Sequence, residues 1–163
     1  MTEYRVPLPA RSGPADAADL GVERWACGVA ASYEEWPPDR YEWRLPEYGL
    51  PLRVDHREQM FASSGAVDGT VGAVRRFAQV DSLVVCLIEV TSPSVMWDWS
   101  RGVRCGLSVM SHVDEPPAGG PAWVYFSEVS LTGHPKDPLA RVVSLGQAGL
   151  DDWRALTGEE VTP

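Results

Sequence analysis

Cysteine, basic charge and long apolar runs are all scarce in this chain of 163 residues. Its three cysteines, Cys27, Cys86 and Cys105, are odd in number, widely spaced and without a C-x-x-C pair. That argues against a complete disulfide framework, and their apolar neighbours favour buried, reduced thiols. The 14 basic residues are outnumbered by 23 acidic ones, for a formal charge of −9. Such a balance argues against a face that tracks nucleic-acid phosphates or anionic lipid, and favours basic or neutral protein surfaces as partners. No apolar stretch approaches the roughly 20 residues that cross a bilayer, and the amino terminus lacks a basic segment followed by an apolar signal core. The expectation is a protein that stays in the cytoplasm of the cell that makes it. His56, His112, His134 and the cysteines form no compact ligand pattern, so no metal is expected. A phosphate-cradling glycine loop between strand and helix is also missing, since Gly119-Gly120 follows two prolines and reads as a turn, and no cofactor is expected.

What is present is ordinary globular material, 44% apolar and of one-domain length. Residues 1–21, with Pro7, Pro9, Gly13 and Pro14, read as an extended arm, residues 22–157 as one domain and residues 158–163 as a tail. Trp25 to Tyr33 suits a first strand, and the paired Pro37-Pro38 breaks regular structure after it. Val71–Val80 and Ser82–Val90 read as strands joined in an antiparallel hairpin at Asp81. The Leu83 to Ile88 run, apolar on both alternating faces, marks the second as a central strand. Pro93–Ser100 can form a short helix with Val95, Met96 and Trp99 on one apolar face. Val103–Met110 alternates again, putting Cys105, Leu107 and Val109 on one side and Gly106, Ser108 and Met110 on the other.

After the mobile-looking Asp114–Gly120 connection, Ala122–Leu131 reads as a strand with Val124, Phe126, Glu128 and Ser130 on one face. Pro138–Leu145 is ambiguous, and Ala148–Leu156 suits a terminal helix stopped by Gly158. Together these predict a mainly β domain with short helices, antiparallel and closed or nearly closed into a barrel.

Three distant strips can meet only in a folded sheet: Val54-Asp55-His56, Cys105-Gly106-Leu107-Ser108-Val109 and Glu128-Val129-Ser130-Leu131. A histidine can serve a serine hydroxyl as general base while a carboxylate orients the imidazole, which makes a serine hydrolase the hypothesis to test. Taken singly, His56 reads equally as a surface or hydrogen-bonded histidine, Ser108 as a common strand serine and Glu128 as half of a rim salt bridge. Gly106, on the face of Ser108, could leave room for a substrate backbone. Ser111-His112 fails as a pair because adjacent strand residues point to opposite faces. Trp97 and Trp99 beside apolar residues read as packing.

The ordered combination is more specific. Leu52 to Glu58, Gly69 to Val74, Arg104 to Met110 and Ser127 to Pro135 resemble, in order, segments of the caudoviral prohead maturation proteases related to that of bacteriophage HK97. The resemblance covers roughly residues 24–145, with the Ser108 and Glu128 strips as its most specific parts. It implies a β-barrel related to the herpesvirus assembly proteases and a serine endopeptidase that cuts major capsid protein or scaffold segments inside the immature capsid, in the host bacterial cytoplasm. By motif, Ser108 is then the nucleophile, His56 its general base and later acid, and Glu128 the residue that orients His56. His134 is an alternative third member, by resemblance to the second histidine of the herpesvirus enzymes. Asp55 stands where Asn is frequent in such proteases, and Gly133 to Pro138 matches the segment after the Glu strip only loosely. Arg104 and Arg141 could serve an oxyanion by charge, and equally could be solvated surface groups. A homo-oligomer is compatible with the sequence. Two other readings stay open: a catalytically silent barrel that binds capsid or scaffold proteins, and a cellular barrel in which the strips match by chance.

Overall fold

The structure, a computed structural model, describes residues 17–54 and 70–161. After 3-10 turns over Ala17–Arg24, which overlap the end of the segment expected to be extended, the described residues form eight strands and two helices. The strands are β1 (Trp25–Ser32), β2 (Tyr41–Arg44), β3 (Leu50–Val54), β4 (Gly72–Val80), β5 (Leu83–Val90), β6 (Gly106–Asp114), β7 (Ala122–Thr132) and β8 (Arg141–Leu145). Helix α1 (Pro93–Ser100) lies between β5 and β6, and α2 (Gly146–Thr157) follows β8.

Seven strands close a barrel in the order β7-β3-β4-β5-β1-β8-β6, with β6 returning to β7, while β2 adds beside the first half of β7. The barrel is mixed, not wholly antiparallel: β3 and β2 both run parallel to β7, whereas the other pairings are antiparallel. Alternating hydrophobicity records which face of a strand is buried and is blind to the direction of its neighbour. Only short hairpin connections force antiparallel pairing, and β3 and β7 are separated by three other strands.

Two apolar clusters explain the composition of the central strands. Val84, Cys86 and Ile88 of β5 point into the barrel with Leu52, Leu107, Val129 and Leu131. Val85 and Leu87 point outward and pack with Trp25, Cys27 and Val29 of β1 beneath Leu150 and Trp153 of α2. Both faces of β5 are therefore dry, as its unbroken apolar run predicts, and it lies between β4 and β1. The β4–β5 turn comes at Asp81, with φ of 53°. Helix α1 buries Val95, Met96 and Trp99 on its predicted face, and α2 ends at Gly158 in the left-handed region, φ 74°.

Strand β6 starts three residues later than expected because the Val103 N–H, beyond the end of α1, donates back to Asp98 O at 2.8 Å, and Arg104 turns the chain with φ of 51°. It then runs on to Asp114 as the outer arm of a long hairpin with β7.

Candidate active site

Ser108 and Glu128 stand on neighbouring strands. In the β6–β7 ladder Ser108 lies opposite Ser130, and the flanking pair Leu107–Leu131 points into the core, so both serines turn outward. Across β7, the parallel register sets Arg53 of β3 beside Ser130, again on the outward face, since Leu52 and Val54 are core residues. Ser108, Ser130 and Arg53 thus form a lateral row across three strands, and Glu128 follows two residues along β7, opposite Met110.

The expected face of β7 needs correcting here. Val124, Phe126, Glu128 and Ser130 do not share a face, because the ladder steps from Met110–Glu128 to Ser111–Phe126, leaving Ser127 as the extra residue of a β-bulge. Before the bulge the even residues Val124 and Phe126 enter the core, and after it the odd residues Val129 and Leu131 do. The bulge is what delivers Glu128 and Ser130 to the outer face beside Ser108. The Ser127 hydroxyl marks it by donating to Met110 O at 3.3 Å.

Glu128 is 2% exposed despite its outward direction. Arg53 Nη1 donates to its Oε2 at 2.6 Å, and Ser130 Oγ donates to its Oε1 at 3.1 Å. A buried carboxylate is costly unless paired and hydrogen-bonded, and this one is both. The rim salt bridge weighed for Glu128 therefore exists as a buried pair. Each carboxylate oxygen has two acceptor sites, so a carboxylate can accept more than two hydrogen bonds.

The third predicted member, His56, lies outside the described residues, as does Asp55. Val54 pairs with Leu131, next to Ser130.

Gly106 does not leave room for a substrate backbone. A Cβ there would lie 2.6 Å from Thr132 O and 2.7 Å from Pro135 Cδ, so the glycine admits the turn that follows β7. His112 is exposed and pairs with Asp114 at 2.8 Å, on the solvent arm of the hairpin. His134 is exposed in the turn after Thr132. Arg104 and Arg141 are exposed, with Arg141 opposite Gly106. Cys27 and Cys86 are buried free thiols: burial pushes Cys27 up to about 12 and Cys86 well above the ordinary thiol range. Among the described residues no three His, Cys, Asp or Glu side chains come together in a way that could hold a metal ion.

Two members of the row, Arg53 and Ser130, are not singled out by the sequence. Ser130 stands within the Glu-Val-Ser-Leu strip, and Arg53 is the one charge inside the apolar alternation of Leu50 to Val54. The buried Asp137 was also missed: its Oδ2 accepts from Ser32 N and Oγ, both at 2.7 Å, and its Oδ1 from Leu139 N at 3.0 Å. It ties the loop after β7 to the end of β1 and is structural.

No protein-family model matches this sequence, and no curated protein matches it.

Proposed function

We propose that the chain is a serine endopeptidase of the prohead maturation type, cutting scaffold or capsid-protein segments. The observation that carries the reading is the lateral row itself. Two strips far apart in sequence meet on one outer barrel face, with Ser108 across from Ser130 and Glu128 beside them, and β3, which pairs with β7, ends two residues before His56 in the sequence.

In this reading Ser108 Oγ attacks the scissile carbonyl while His56 takes its proton and then returns it to the leaving amine. Water activated by His56 hydrolyses the acyl-enzyme, and Glu128, fixed by Arg53 and Ser130, holds the imidazole in orientation. An extended peptide has a place to bind beside Ser108. Leu107 N–H donates to Ala140 O on the β8 side, so Val109, Ser111 and Val113 turn their backbone groups to the same edge. Strand β6 pairs with β8 only at Gly106, and among the described residues that edge has no further partner strand. A polypeptide added there would present its backbone alongside the nucleophile.

The testing experiment co-expresses the cognate major capsid protein with wild-type chain or Ser108→Ala and reads the products by mass spectrometry. Site-specific cleavage by the wild type and none by the folded variant is the expected result. Undiminished cleavage by Ser108→Ala would remove Ser108 as nucleophile.

A second reading, a silent barrel that binds capsid or scaffold proteins, is favoured by one observation: Glu128 is already engaged by a guanidinium at 2.6 Å, as a structural ion pair would be. Capture of uncut capsid protein by the wild type, with equal affinity in Ser108→Ala, would select it.

A further inference from the structure

The loop that follows β6, about 20 Å along the strand from Ser108, forms one wall of a groove of about 520 Å³. Its walls are flat rings: Tyr33, Tyr41, Trp43 and Trp123, with Pro116 and Pro121. Tyr33 stacks on Trp43 with centroids 5.2 Å apart, and Trp36 braces Tyr41 edge-on at 5.0 Å, so these surfaces are already fixed. Rigid rings lose little entropy on binding, and pyrrolidine rings pack well on aromatic faces.

The groove's polar lining is mixed: the Glu42 carboxylate accepts, while the Gln79 amide and the Tyr33 hydroxyl can donate. The Gln79 amide donates to the Tyr33 oxygen at 3.1 Å, which leaves the hydroxyl's own hydrogen to donate onward. A ligand that meets those two donors supplies carbonyl oxygens. Proline-rich backbone does so, since each proline lacks an N–H and the polyproline II helix leaves its carbonyls unpaired. The charge is complementary too. Glu34, Asp39, Asp81 and Glu115 are exposed on the loops that build the rim, against Arg40 alone on the same loops, which favours a basic flank on the ligand.

We propose that this groove docks an arginine-flanked proline-rich strand, and that its occupant is this chain's own segment Arg5-Val6-Pro7-Leu8-Pro9-Ala10-Arg11, which lies outside the described residues. Its two prolines match the aromatic walls in chemistry, and its two arginines match the acidic rim in charge.

The test uses the full chain carrying Pro7→Ala and Pro9→Ala, which removes its own ligand, and titrates it with a synthetic peptide of residues 4–12 while following tryptophan fluorescence. Saturable binding is expected, weakened about tenfold or more when both peptide prolines are alanine. A similar loss is expected in Tyr41→Ala and in Gln79→Arg, which sets a positive charge on an exposed wall position and keeps the test open should Tyr41→Ala unfold. Equal binding of the two peptides, no loss in a folded groove variant, or binding only by an unrelated proline-rich peptide would overturn the proposal.

Discussion

Glu128 shows how much one side chain's setting changes its meaning. In sequence it is an acid interrupting an apolar strand, whereas in the fold it is a buried carboxylate held by Arg53 and Ser130. Removing it takes away the carboxylate to which Arg53 Nη1 donates at 2.6 Å, and the Arg53 side chain is only 16% exposed. Glu128→Ala should therefore cost about 3–5 kcal/mol in urea unfolding, more than Ser130→Ala at about 1 kcal/mol. Asp137 is the second such group, accepting three hydrogen bonds from two segments. Asp137→Ala leaves the Ser32 and Leu139 donors unsatisfied and should destabilise the folded chain by about 3 kcal/mol. The thiols differ in the same way. Cys27 and Cys86 are buried with pKa values pushed up, Cys27 to about 12, whereas Cys105 is half-buried and raised by burial and by Asp98. Iodoacetamide near pH 8, where an ordinary thiol of pKa about 8.5 is partly ionised, should label Cys105 first in the native protein and all three after unfolding, as peptide mapping would read.

At the scale of elements, the bulge at Ser127 is the decisive feature. It reverses the alternation of β7 halfway along, so one strand puts Val124 and Phe126 into the core and Glu128 and Ser130 beside Ser108. Deleting Ser127 would leave strict alternation, with Val124, Phe126, Val129 and Leu131 inward and Glu128 and Ser130 outward, and would remove only the local irregularity of the bulge. The expected result is a thermal melt that stays cooperative, and Ser127→Ala, which keeps the count, changes stability by less than about 1 kcal/mol. The bulge was not legible because its sequence, Phe126-Ser127-Glu128-Val129, fits plain alternation as well until the β6 register is known. Helix α1 and strand β5 were legible, since the spacing of Val95, Met96 and Trp99 and the two-faced run Leu83 to Ile88 each have one packing solution. The short β2 and β8 were not, because four or five residues beside prolines and loops leave no period to read.

For the molecule as a whole, charge couples stability to pH in a defined direction. Burial would raise Glu89, but the hydrogen bonds and charges of Arg24, with Nε at 2.8 Å, and Arg75 outweigh it, so its folded value lies below the ordinary one. A carboxyl depressed in the folded state stabilises above its unfolded value, and that contribution is lost as pH falls through the folded value, below about 4.5. Glu23 and Glu35 are raised by burial, with Asp137 adding to Glu35. They have the opposite sign, favouring the folded state most at low pH and giving that up as pH rises through the ordinary carboxylate range. Glu89→Gln should thus be less stable than wild type at neutral pH, with the gap closing below about pH 4. Urea midpoints across that range check it.

The sequence by itself determined the β class, the two helices, the central place of β5 and the residues worth testing, because periodicity and turn chemistry act over a few neighbours and leave a local record. Tertiary structure alone decided that β3 runs parallel to β7, that Ser127 bulges, and that Arg53 and Ser130 join Ser108 and Glu128 on one face. Those facts depend on strand direction and register between segments separated by dozens of residues, where only closure of the barrel around its core selects one pairing.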